Sequence, residues 1–192
     1  MVITVNGTPG SGKSSVSKKL AIKLGWPRFY GGGIRRIQAK AMGLTLAEFN
    51  KLGETDNSTD FVVDNYLKEL PKRYPNCIIE SRTAWHLIPN SIKLYLDVDE
   101  KIGAERVFNE LKKSSKRNED KKLHSIAAVL KSHQRRKLSD YRRYKKYYHF
   151  NLYDKKNYDF VLDTTNLDKK QVFAEIYQYL KKRLKLAIDK TS

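Results

Sequence analysis

Eight residues near the start of the 192-residue chain, Gly7-Thr8-Pro9-Gly10-Ser11-Gly12-Lys13-Ser14, fit the pattern G-x-x-x-x-G-K-[ST] at every fixed position. The chemistry open to such a stretch is the holding of a polyphosphate. Several backbone N–H groups must converge on the phosphate oxygens, and glycines let the chain curl closely enough to bring them there. Lys13 would supply a mobile positive charge to the β- and γ-phosphates, and the Ser14 hydroxyl would ligate Mg²⁺. Ser15 follows within the same candidate site. Two carboxylates at the ends of predicted strands, Glu80 and Asp97, are the acidic groups expected nearest this loop. Either can hold the water shell of the cation, or each can simply pair with a neighbouring Arg such as Arg82.

These groups need elements to position them. Residues 2–5 form a short apolar, β-branched run, the look of a buried parallel strand. A helix should follow from about Lys13 to Leu24, with Val16, Leu20 and Leu24 four apart on one face and Gly25 and Pro27 closing it. Its N-terminal end would add positive potential at the loop. Further strands are expected at 28–30, 77–80, 92–98 and 158–163. Helices are expected at 34–42, after the Thr45/Glu48 capping pair, and at about 59–70, 100–113, 124–148 and 168–187. The polar stretch 114–122 reads as a mobile connector, and the last few residues as frayed. Strands alternating with helices argue for an α/β three-layer sandwich on a five-stranded, mostly parallel sheet, with all of 1–192 forming one domain.

Composition narrows the function classes. Lys and Arg number 39 against 21 Asp and Glu, a formal charge of +18. Residues 101–150 hold 16 of the cations and 5 of the anions. Such a field attracts a polynucleotide or a nucleoside triphosphate alike. No window approaches 18 uninterrupted apolar residues, which excludes a spanning helix. The opening residues lack a charged n-region and a cleavage site and read as structure, so a cytoplasmic location is expected. The single Cys77 precedes Ile78-Ile79 and reads as a buried thiol. No strand of four apolar residues ends in the Asp-Glu expected of an ATPase that activates water. The four His residues form no pattern with an acidic partner.

The whole chain resembles the cytidylate kinases, in the short form found mainly in archaea, within the P-loop nucleoside monophosphate kinases. The resemblance is carried by Val2–Ser14, Tyr30-Gly31-Gly32-Gly33-Ile34-Arg35-Arg36, Glu80-Ser81-Arg82, the helical set Arg136, Ser139-Asp140, Arg143-Tyr144 and Tyr147-Tyr148, and Tyr158-Asp159-Phe160-Val161-Leu162-Asp163-Thr164. Only the loop is diagnostic alone; order and spacing give the others their weight. The resemblance implies transfer of the ATP γ-phosphoryl group to CMP or dCMP; a monomer is expected. The resemblance also implies an acceptor-binding segment at 31–70 and a lid at 112–145. An acceptor phosphate is already ionised, so no general base is required. Arg36 and Arg82 would grip that phosphate bidentately. Arg136 and Arg143, seven apart and so two turns apart on one helix face, would close over the transferring group.

The chain also departs from the family's pattern: Gly31 stands where a base- or sugar-contacting Ser is expected, Ser81 replaces a Gly, Thr83 an Asp, and Lys137 a lid Glu. Asp60 and Asp64, one turn apart, are candidates to face the cytosine amine. The Tyr-rich, basic segment 140–153 can stack bases and neutralise phosphates, and the spacing of Tyr141, Tyr144 and Tyr148 is equally that of a helical stripe packed on the core.

Overall fold

The computed structural model describes residues 1–113 and 123–184. The expected mobile connector and the frayed C-terminus lie outside the described residues. In order come β1 (Val2–Gly7), α1 (Lys13–Leu24), β2 (Arg28–Tyr30), α2 (Gly31–Ala41), α3 (Leu46–Leu52) and α4 (Ser58–Arg73). They are followed by β3 (Cys77–Glu80), α5 (Ala84–Leu87), β4 (Ile92–Asp97), α6 (Glu100–Lys113), α7 (Ile126–Tyr148), β5 (Phe160–Asp163) and α8 (Lys169–Leu184).

The sheet runs β2-β3-β1-β4-β5, and every pairing is parallel. β1 therefore lies at the centre, paired Val5↔Glu80 with β3 and Val5↔Leu94 with β4. All strands point the same way, so the loop leaving β1 meets the loops leaving β3 and β4 along one edge.

Alternation along the strands splits the core into two layers. Ile3, Val5, Ile78, Leu94 and Leu96 meet Val16 and Leu20 of α1 and Val172, Ile176 and Leu180 of α8. Val2, Cys77 and Ile79 face the other way, onto Val63, Leu67 and Leu70 of α4. Cys77 is the buried thiol expected, and burial pushes its pKa up. The capping box forms as its spacing predicts: Glu48 N–H donates to Thr45 Oγ1 at 3.2 Å, and Thr45 N–H to Glu48 Oε2 at 2.7 Å. α2 begins at Gly31, three residues before the expected start, and the Tyr30 ring lies so close to Gly32 that a Cβ there would fall 2.8 Å from it. α6 and α7 form a hairpin around Ala104, Val107 and Val129, tied at one end by Glu100 to Gln134 and Lys137.

Candidate active site

The phosphate loop leaves β1 through Gly7, whose φ of +146° no side chain would tolerate here. A Cβ at that position would fall 1.9 Å from the Leu96 carbonyl oxygen of β4. The loop is then pinned from behind. Thr8 N–H donates to Leu96 O at 3.0 Å, Ser11 Oγ to Thr8 O at 2.8 Å, and Thr164 Oγ1 to Ser11 O at 3.2 Å. Thr8 Oγ1 donates to Asp97 Oδ1 at 3.1 Å. Gly12 caps α1 with no side chain, so the first N–H groups of the helix face the loop's hollow. Thr8 and Ser11 are buried supports of this cradle, and Ser15 sits in the first turn of α1.

In front of the loop lies a cleft of about 480 Å³. Gly7, Pro9, Gly10, Lys13 and Ser14 line it from the loop and α1, Arg36 from α2, Arg82 from the turn after β3, and Arg136 from α7. These predicted residues are thus brought together. Glu80, at the end of β3, accepts from Ser14 Oγ at 2.6 Å, while Asp97 accepts from Thr8 Oγ1 of the loop and pairs with Lys155 Nζ at 2.6 Å. The partner of Glu80 is Arg28, not Arg82.

Beside the cleft is a pocket of about 20 Å³ walled by Gly31, Arg35, Asp60, Asp64, Arg82, Thr83 and Tyr144. Asp64 accepts from Thr83 Oγ1 at 2.7 Å and from the Tyr148 hydroxyl. Burial pushes its carboxyl above the ordinary range, against those two hydrogen bonds. Asp60 pairs with Arg35 through one oxygen, while its Oδ2 has no hydrogen bond. Arg35 Nη2 is equally without one, and burial lowers the pKa of that guanidinium.

Arg143 stands apart from Arg136. Its side chain is 0% exposed, with Nη2 2.7 Å from Asp140 Oδ1 and Nη1 3.5 Å from Asp60 Oδ2. Two turns of helix carry it about 10 Å along α7 from Arg136, to Asp60 of α4 rather than to the cleft lining. Asp140 Oδ2 also meets Arg82 Nε at 2.7 Å. Burial works to raise the Asp140 carboxyl, yet Arg82, Arg143, Arg136 and Arg35 together hold it below the ordinary carboxylate range. For Arg82, burial is likewise outweighed, chiefly by Asp140, and its pKa rises.

Of the tyrosine stripe, Tyr144 is buried and lines the small pocket, Tyr148 packs 5.6 Å from it and donates to Asp64, whereas Tyr141 is 39% exposed. Sequence reasoning missed Arg28 as a cleft residue and Tyr148 as a partner of Asp64. No local pattern marks either, since their partners lie in other elements.

The chain matches the model of the cytidylate kinase-like family over residues 2–166. It is 38% identical over 178 residues to the cytidylate kinase of Methanocella arvoryzae, covering 93% of this chain and 95% of that one. With the cytidylate kinase of Methanocaldococcus jannaschii it shares 34% over 178 residues, covering 90% and 93%. Among solved structures, the shikimate kinase of Bacteroides thetaiotaomicron superposes with a TM-score of 0.63 at 15% identity, covering 97% of this chain and 99% of that one, a likeness of fold alone. The chain belongs to the cytidylate kinase-like family.

Proposed function

We propose that this protein transfers the γ-phosphoryl group of ATP to CMP or dCMP, giving ADP and CDP or dCDP. The observation that carries the proposal is a juxtaposition. A loop built for a triphosphate and a buried polar pocket with unmet hydrogen-bonding atoms adjoin one cleft, and Arg36, Arg82 and Arg136 line that cleft. Phosphoryl transfer asks little more of a protein than such positioning and charge. Residues Gly7 to Ser15 hold the donor, with Lys13 on its terminal phosphates. Arg36 and Arg82 grip the acceptor's phosphate, and Arg136 offsets charge on the group in flight. The donor set of Ser14 and Glu80, two hard oxygens 2.6 Å apart beside the loop, fits Mg²⁺, which prefers one or two protein oxygens plus phosphates. When bound with ATP, Mg²⁺ would offset negative charge on the nucleotide's terminal phosphates.

The acceptor's base belongs among Gly31, Asp60 and Asp64, with Arg143 behind Asp60. The pocket now has room for about one water. A ring therefore enters by parting α4 from α7, which makes those two helices the elements that move on binding. Arg143 then acts at the base end of the acceptor. The enzyme is read as a monomer in the cytoplasm; no helix among the described residues is long and apolar enough to cross a membrane. A coupled assay of ADP release across CMP, dCMP, UMP, AMP, GMP and shikimate tests the reading. Turnover with CMP or dCMP at the highest kcat/KM is expected; turnover with none of the nucleotides overturns it.

A further inference from the structure

Arg28 lines the cleft without belonging to the phosphate loop or to the arginines assigned to the acceptor. Its Nη2 donates to Glu80 Oε2, while the other oxygen of that carboxylate accepts from Ser14. The Glu80 side chain is 5% exposed and that of Arg28 16%. The guanidinium carbon of Arg28 also lies 5.2 Å from the centre of the Tyr30 ring, so the cation is held on two sides. The carboxylate nearest the loop's serine is therefore already paired with a cation of the chain itself.

We infer that Arg28 is a positioning residue: it aims Glu80 at Ser14 and offsets its charge, so that a divalent cation enters this site only together with a nucleotide triphosphate. The inference rests on Ser14 and Glu80 being the cation's partners. A bare carboxylate beside a hydroxyl would be a weak cation site by itself. With a guanidinium on the same carboxylate, an incoming dication meets a positive charge at short range, and the triphosphate's own negative charges must tip the balance.

Paramagnetic resonance of Mn²⁺ on the full chain, with folding checked by circular dichroism, tests this directly. Without nucleotide, the natural protein should not saturate with Mn²⁺ in the low millimolar range, whereas with ATP present it should. Arg28→Gln, and Arg28→Met, which keeps the aliphatic stem on Tyr30, should bind Mn²⁺ without nucleotide at least about tenfold more tightly. Arg28→Lys, keeping the charge, should stay near the natural protein. Adding Glu80→Gln to Arg28→Gln should abolish the gain. Saturation of the nucleotide-free natural protein, or neutral variants that bind no more tightly than it does, overturns the inference. A Mn²⁺–ATP spectrum that is the same with and without the protein would instead sink the assignment of Ser14 and Glu80. The readout on the natural protein stands even if a variant does not fold.

Discussion

Asp140→Asn should be among the most damaging single-atom-scale changes in this molecule. The Asp140 carboxylate is 1% exposed and receives Arg143 Nη2 on Oδ1 and Arg82 Nε on Oδ2, both at 2.7 Å. The Tyr153 hydroxyl also donates to Oδ2, at 3.4 Å. Asn offers one acceptor and one donor, so whichever way the amide turns, its NH₂ faces a guanidinium N–H. Two buried cations also lose their counter-charge. Breaking a buried pair in this way costs roughly 3–5 kcal/mol. At about 2–4 °C per kcal/mol for a chain of this size, the melting temperature should fall by roughly 6–20 °C. Calorimetry measures that loss, and steady-state kinetics should show KM for CMP rising, because Arg82 loses its anchor.

The pH dependence comes from the lowered Asp140 pKa. Stability from this group is fully present above about pH 4, the unfolded value, and is lost as pH falls through the lower folded value. In the Asn variant that acid limb should be shallower. A melting temperature within about 2 °C of the natural protein would refute the electrostatic reasoning, since it would mean the arginines do not depend on this carboxylate.

Lys13→Ala should leave the fold intact and lower kcat by roughly 10²–10³-fold, read by ADP release alongside circular dichroism. In Gly103→Ala, the added Cβ would lie 2.7 Å from the Pro9 carbonyl oxygen, where α6 rests on the loop. Although Ala favours a helix over Gly by about 1 kcal/mol, calorimetric titration should show weaker ATP binding and little change for CMP. Tyr148→Phe removes the hydroxyl that donates to Asp64 Oδ2. Stability should fall by about 1–2 kcal/mol in urea melts, and KM should rise for CMP but not for ATP.

Much of the fold was readable from local pattern. β1, the loop and α1 carry their periodicity and punctuation within some 25 residues, and the Thr45/Glu48 cap needs only its own turn. Strand ends were readable too, which is why Glu80 was expected near Ser14. The features that escaped depend on contacts between elements. Arg136 and Arg143 share one face of α7, yet of the two Arg136 lines the cleft, because two turns of α7 carry Arg143 on to Asp60 of α4. Arg28 sits in a three-residue strand with no periodicity to read, and its importance lies in a carboxylate 52 positions away. α5 spans Ala84–Leu87, too short for a helical pattern to emerge.

The most direct measurement tracks the phosphorus itself. Protein, Mg²⁺, CMP and ATP labelled in the γ-phosphoryl group are mixed, and the products are separated by chromatography. Label should appear in CDP in step with the ADP formed, and Lys13→Ala should nearly abolish it. Label found only in inorganic phosphate, or left in ATP, would contradict transfer between two nucleotides held in this cleft.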